Sequence, residues 1–209
     1  MNDKIEHTMQ RTRQYWFIDG LAELSVGGLF IILGIYFFIQ AILPPGSLTL
    51  IIFQMSFVFL LFGTIFFSRY LLKKFKSRIT FPRTGYVSYR KASKRQKLLS
   101  VGLALAIGSI PIILFFSTPL SFNWIPVFTG LLVGAIWLIS AIRIGLLRLY
   151  LQALLSLILG ILISLINLDA YPSLAIYYGV MGIVLSMSGG IVLAKYLRQH
   201  PTVKNDSTA

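Results

Sequence analysis

Long runs of apolar residues constrain this chain more than any other feature of its sequence. A helix that crosses the hydrocarbon of a bilayer needs about 20 mostly apolar residues, and six segments have that length. They are residues 20–43, 48–72, 98–117, 122–142, 147–168 and 172–197. Charged residues make up only 12% of the chain, whereas soluble domains carry about 25%. The sequence therefore predicts an all-α membrane protein, built as a bundle of six transmembrane helices.

One of the breaks between these runs is much weaker than the others. Pro-Pro-Gly at residues 44–46 ends the first run clearly, because proline cannot continue a helix. At residues 141–148, only Arg143 and Arg148 interrupt an otherwise apolar stretch. A single kinked helix across this stretch would move the C-terminus to the opposite side of the membrane.

The basic residues predict the orientation of the six spans. All 19 lysines and arginines fall on one side of the predicted bundle. They lie in the N-terminal segment, loop 69–97, turn 141–148 and the tail that begins at Lys195. The opposite loops carry one charge, Asp169. Since Lys and Arg accumulate in cytoplasmic loops, we expect both termini to be cytoplasmic (N-in and C-in).

This topology divides a single membrane domain, residues 1–209, into five parts. They are a cytoplasmic N-terminal segment at 1–19, spans one and two at 20–71, a basic cytoplasmic loop at 72–97, spans three to six at 98–197 and a disordered cytoplasmic tail at 198–209.

Two carboxylates enter the first span, in the sequence WFIDGLAELSVGGLFIILG. Asp19 and Glu23 are four residues apart, so they share one helix face. Glycines recur every seven residues from Gly20 on nearly the same face, and such stripes allow close helix packing. We therefore expect the carboxylates to face the bundle, where they form an ion pair or a proton or cation site. The alternative for Asp19 is an N-cap-like or interfacial position in a solvated first turn, favoured by the helix dipole.

A polar segment, ITFPRTGYVSYR at residues 79–90, lies between the second and third spans. Its β-branched and aromatic residues flank Pro82 and Gly85, which suit a tight turn. The segment predicts a small cytoplasmic β-hairpin that caps the helix ends, with a flexible linker as the alternative. Arg83, at the turn tip, is the expected partner of Asp19 or Glu23. The loop motif consists of Pro82, Arg83, Thr84, Gly85 and Tyr86.

The basic loop predicts membrane lipids as partners. A net charge of +13 is compatible with nucleic-acid binding, but the positive-inside distribution already accounts for every cation, so we expect no nucleic acid. Attraction to anionic headgroups of the cytoplasmic leaflet follows instead. The candidate lipid-binding residues are Lys73, Lys74, Lys76, Arg90, Lys91, Lys94, Arg95 and Lys97.

The segments DGLAEL (19–24) and PRTGYVSYR (82–90) together resemble a group of bacterial multi-pass membrane proteins. That group carries a DG-x-x-[ED] start to the first span and a PRTGYV loop. The resemblance covers about residues 15–90. It implies placement in the bacterial cytoplasmic (inner) membrane, and it implies no activity, because the group has no established one.

Small residues recur at helical spacing in the later spans as well. Such stripes pack helices within one bundle, and they also leave room for a homo-oligomer or another membrane protein as a partner. The glycines expected at helix contacts are Gly20, Gly27, Gly34, Gly130, Gly134, Gly160, Gly182 and Gly190.

The residue inventory excludes several kinds of chemistry. The chain has no cysteine and two histidines, both in the terminal segments, so we expect no cofactor, no metal site and no catalytic residue. The first hypothesis is a non-catalytic membrane protein that binds anionic lipid or a membrane partner. The alternatives are a small transporter or channel that uses Asp19 and Glu23, and a lipid-modifying membrane enzyme.

Overall fold

The protein is built from long apolar helices. The structure, a computed structural model, describes residues 17–80 and 122–199. Five helices in these ranges are long and apolar enough to cross a membrane, and the ranges contain no β-strand. The helices are α1 (Leu21–Ile42), α2 (Leu48–Phe75), α3 (Ile125–Ile144), α4 (Leu147–Leu165) and α5 (Ala170–Gln199). They correspond to predicted spans one, two, four, five and six, and span three lies outside the described residues.

The break predicted at residues 141–148 is real. Helix α3 ends at Ile144, and Gly145 follows in the left-handed conformation with φ +75°. The Gly145 N–H donates to the carbonyl of Ala141, which closes the helix. Leu146 is extended, and α4 begins at Leu147. A left-handed glycine after the last helical residue is a common way to stop a helix, so spans four and five are separate.

Helix α2 is longer than the apolar run that predicted it. It continues to Phe75 and passes directly into a five-residue π-helical turn, Lys76–Thr80. The predicted β-hairpin is therefore not confirmed at its first strand, since Ile79 and Thr80 belong to this turn. The rest of the predicted hairpin, from residue 81 onward, lies outside the described residues. Helix α5 likewise continues to Gln199, two residues into the predicted tail.

The chain forms two compact units. The first comprises residues 1–86 and 178–209, and the second comprises residues 87–177. Helix α5 contributes to both, with residues 170–177 in the second unit and the remainder in the first.

In the first unit, α1 lies antiparallel to α2 and to the C-terminal part of α5. Aromatic rings fill the contact at the C-terminal end of α1: Tyr36 stacks on Phe53 with ring centroids 4.5 Å apart. Phe37 stacks on Tyr178 of α5 at 5.6 Å. The Tyr36 hydroxyl donates to the Phe53 carbonyl at 2.7 Å. The N-terminal end of α1 therefore meets the C-terminal ends of both neighbours, and this meeting point contains the charged residues.

In the second unit, α3 and α4 form an antiparallel helical hairpin. The backbones approach so closely that a Cβ on Gly160 would lie 2.6 Å from the carbonyl oxygen of Pro126. A Cβ on Gly130 would lie 2.6 Å from the carbonyl of Ser156. Small residues at these positions are thus required for the packing.

Candidate functional site

The two carboxylates at the start of α1 are fully buried, with 0% exposure for both Asp19 and Glu23. Asp19 precedes the helix, and its Oδ1 accepts a hydrogen bond from the Leu21 N–H at 3.2 Å. Gly20 between them is left-handed, with φ +69°. The sequence prediction that Asp19 and Glu23 face the bundle agrees with this burial. The alternative for Asp19 agrees in part: the hydrogen bond from Leu21 is N-cap-like, but the side chain does not lie in a solvated turn.

The cation that meets Asp19 is Lys76, at the first position of the π-helical turn. Lys76 Nζ lies 3.2 Å from Asp19 Oδ2, and the lysine side chain is 3% exposed. Because α2 continues past its apolar run, its last turn brings this lysine to the start of α1. From the sequence, Lys76 was predicted to be a lipid-binding residue. The structure places it in a buried ion pair instead, where a lipid headgroup does not reach it.

Glu23 lies one turn further into the bundle and meets α5. The hydroxyl of Ser188 donates to Glu23 Oε2 at 3.0 Å. Ser188 was not predicted as a partner of Glu23. The sequence feature that indicates it is the run of small residues SMSGG at 186–190, because a serine in such a run can hydrogen-bond across a close helix contact.

Glycines on α1 and α5 make this burial possible. A Cβ on Gly20 would collide with the carbonyl oxygen of Gly189, and one on Gly189 would lie 2.7 Å from the Leu24 nitrogen. Deeper in the bundle, Gly27 contacts Ser186, and a Cβ on Gly182 would lie 2.7 Å from the Ile31 nitrogen. With the backbones this close, little space remains for water around the carboxylates.

Most of the predicted packing glycines lie at such contacts. Gly20, Gly27 and Gly182 do so in the first unit, and Gly130, Gly134 and Gly160 in the second; Gly34 is buried. Gly190 is different: a Cβ there would meet no described atom within 4 Å. The contact with α1 is made by its neighbour Gly189. Adjacent residues of a helix point about 100° apart, so Gly190 faces away from α1.

Exposed cations surround the buried pair at the same end of the first unit. We call them the basic face. They are Arg69, Lys73, Lys74, Arg78, Lys195 and Arg198. The Lys74 ammonium lies 5.7 Å from the ring centroid of Tyr70, which is also exposed.

The remaining predicted residues of this region fall outside the described part of the chain. They are the loop motif Pro82–Tyr86, including Arg83, and the lipid candidates Arg90, Lys91, Lys94, Arg95 and Lys97. The pairing of Arg83 with a carboxylate stays a prediction.

A second polar cluster lies in the second unit and contains no charge. The hydroxyl of Ser156 donates to the Gly130 carbonyl at 2.8 Å. The Tyr177 hydroxyl lies 2.7 Å from Ser156 Oγ and therefore acts as the donor in that bond. Both side chains are fully buried, and Gln152, one turn away on α4, is nearly so. The small residues of the later spans predict close helix packing here, but the bond between Ser156 and Tyr177 was not predicted.

The chemistry available to the charged site is that of two carboxylates and one amine, all buried, together with the part-buried hydroxyl of Ser188. Within residues 17–80 and 122–199, no three metal-binding side chains come together. The site is suited to holding helix ends together by an ion pair and a hydrogen bond.

Comparison of the chain with protein-family models, with curated proteins and with solved structures finds no match. The resemblance to the multi-pass group is therefore still a prediction, and the site has to be interpreted from its own geometry.

Proposed function

We propose that this protein is a non-catalytic multi-pass membrane protein that binds anionic lipid or a membrane partner through its basic face. One observation carries the proposal. At one end of the first unit, the ionisable groups inside the bundle are closed off as the Asp19–Lys76 pair and the Glu23–Ser188 bond. The cations around them are exposed.

The closed pair favours an architectural role over transport. Charged side chains inside a membrane protein are rare and pair with one another or line a functional path. A proton or cation path through Asp19 or Glu23 needs access from water, and both side chains are 0% exposed. An ion pair that joins the start of α1 to the end of α2 instead fixes the helix ends from which the basic face projects.

The basic face supports the lipid-binding part of the proposal. A Lys or Arg near an anionic membrane surface contributes about 1 kcal/mol of attraction. The C-terminal ends of α2 and α5 carry these cations at the same end of the unit, and Tyr70 lies beside Lys74, as expected for residues at a membrane interface. The proposed topology is six spans in a bacterial cytoplasmic membrane, with this end of the unit and both termini inside the cell.

The topology can be tested cleanly because the chain has no native cysteine. Single cysteines at Lys195 and at Ser47 are labelled in intact cells with a membrane-impermeant maleimide. We expect labelling at 47 only, and labelling at 195 only after the membrane is opened. The reverse pattern, or labelling of both sites in intact cells, would contradict the proposed orientation.

Lipid binding is tested by measuring which lipids copurify with the protein. We expect enrichment of phosphatidylglycerol over phosphatidylethanolamine, and a loss of enrichment in the variant Lys73→Gln/Lys74→Gln/Arg78→Gln. The matched control, Lys73→Arg/Lys74→Arg/Arg78→Lys, keeps the charges and should keep the enrichment. Proton or cation flux in proteoliposomes that Glu23→Gln abolishes would support the transporter instead.

A further inference from the structure

One face of α2 changes from aromatic to cationic along its length. Met55, Phe59, Phe62 and Phe66 are 73%, 81%, 61% and 69% exposed. Arg69 and Lys73 continue the same series and are exposed as well. Successive members are three or four residues apart, so all six lie on one side of the helix. We call these six residues the α2 stripe.

The part of the stripe from Phe59 to Arg69 has the length of one leaflet of a bilayer. From Phe59 to Arg69 the helix rises about 15 Å at 1.5 Å per residue. Half of a hydrocarbon core of about 30 Å has the same thickness. With Arg69 at the headgroup level, Phe59 lies near the bilayer centre, and Phe62 and Phe66 lie along the acyl chains of a single leaflet.

We propose that the α2 stripe is the binding site of one anionic phospholipid. Arg69 and Lys73 hold its phosphate, and the rings from Phe59 to Phe66 contact its acyl chains. This inference rests on the proposed function and names its ligand and its position. The planar guanidinium of Arg69 donates two hydrogen bonds to a phosphate, and Lys73, one turn further on, adds a point charge.

Charge decides between a lipid and a second copy of the chain as the occupant of this face. Two copies inserted in the same direction are related by a two-fold axis along the membrane normal. Contact through the α2 stripe would then bring Arg69 and Lys73 of one copy against the same residues of the other. An anionic phospholipid complements both parts of the stripe, because its chains match the rings and its phosphate matches the cations.

The headgroup part of the site is tested by native mass spectrometry of the full chain in detergent, titrated with phosphatidylglycerol or phosphatidylcholine. The variant Arg69→Gln/Lys73→Gln removes two cations from the stripe. Arg143→Gln removes an exposed cation at the end of α3, outside the basic face, and serves as the control. We expect the stripe variant to bind phosphatidylglycerol about tenfold more weakly, and the control variant to bind it within twofold of wild type.

The acyl-chain part has its own variants. The variant Phe62→Ala/Phe66→Ala removes two rings of the stripe. The control variant Phe38→Ala/Phe67→Ala removes two exposed rings that do not belong to it. We expect only the first pair to weaken phosphatidylglycerol binding. Soluble glycerol 1-phosphate at millimolar concentration should leave the bound lipid in place. Displacement of the lipid by this anion, with no effect of Phe62→Ala/Phe66→Ala, would show a free-phosphate site and overturn the inference.

The outcomes separate the inference from the function on which it rests. If wild type shows no preference for phosphatidylglycerol, the inference fails together with the lipid-binding part of the proposed function. If wild type shows the preference and Arg69→Gln/Lys73→Gln keeps it, lipid binding by the basic face remains, but the stripe is not its site and the inference is overturned. A wild-type dimer that Phe62→Ala/Phe66→Ala dissociates would make the stripe a contact between copies and would overturn the inference.

Discussion

The two units solve the problem of joining membrane helices in different ways. In the first, α1 and α5 meet at Gly20, Gly27, Gly182 and Gly189, and charged groups are buried at one end of this contact. In the second, α3 and α4 meet at Gly130 and Gly160, and the buried polar groups are the neutral hydroxyls of Ser156 and Tyr177.

The difference follows from what each polar group requires. A hydroxyl pair needs one backbone carbonyl and a close helix approach, so it can lie well inside a span. A buried carboxylate needs a cation or several donors. In the first unit the cation comes from Lys76, beyond the apolar run of α2. Charge is therefore confined to a helix end, whereas neutral hydrogen bonds are not.

The largest expected effect comes from removing the charge on one member of the ion pair. Asp19→Asn keeps an acceptor for the Leu21 N–H but leaves the Lys76 ammonium buried without its carboxylate. Breaking a buried pair in this way costs about 3–5 kcal/mol. The free energy of unfolding in detergent measures the loss. Asp169→Asn neutralises an exposed carboxylate and should change stability by less than about 0.5 kcal/mol.

A smaller effect is expected from filling the glycine contact of the first unit. Gly189→Ala would place a methyl group 2.7 Å from the Leu24 nitrogen, which forces α1 and α5 apart and costs about 1–3 kcal/mol. Gly190→Ala meets no described atom and should leave stability unchanged or raise it slightly. Thermal unfolding of the two variants gives the comparison, and equal midpoints would contradict the assignment of the contact to Gly189.

The smallest effect is expected in the neutral cluster. Ser156→Ala removes the hydroxyl that bonds to the Gly130 carbonyl and to Tyr177. Hydrogen bonds between membrane helices contribute about 0.6 kcal/mol on average and at most about 1.7, so the variant should lose about 1 kcal/mol. A loss as large as that of Asp19→Asn would remove the distinction between the two units.

Much of this arrangement follows from the sequence. The apolar runs predict all five described helices, and the seven-residue glycine spacing correctly places Glu23 inside the bundle. The prediction that Lys76 binds lipid was wrong, because the apolar run shows which part of a helix is buried in the membrane and not where the helix ends. Helix α2 continues through Lys73 and Lys74, which are good helix formers. The turn that follows it therefore brings Lys76 to Asp19. A contact between residues so far apart in the sequence cannot be predicted from local sequence patterns.

For a similar reason, the sequence could not predict whether Gly189 or Gly190 contacts α1. Both glycines continue the small-residue run of α5, and only the rotation of α5 against α1 decides which one makes the contact. The same rotation of α5 directs Ser188 toward Glu23, to which it donates a hydrogen bond.

Asp19 and Lys76 form one structural unit that joins α1 to α2. A double-mutant cycle of Asp19→Asn and Lys76→Met, read out as the free energy of unfolding in detergent, measures the coupling between them. Lys76→Met removes the ammonium and keeps an apolar stem of similar length. We expect the double variant to be more stable than the sum of the single effects implies, by about 2 kcal/mol. Additivity within about 0.5 kcal/mol would show instead that the two residues are uncoupled and that the ion pair does not join the two helices.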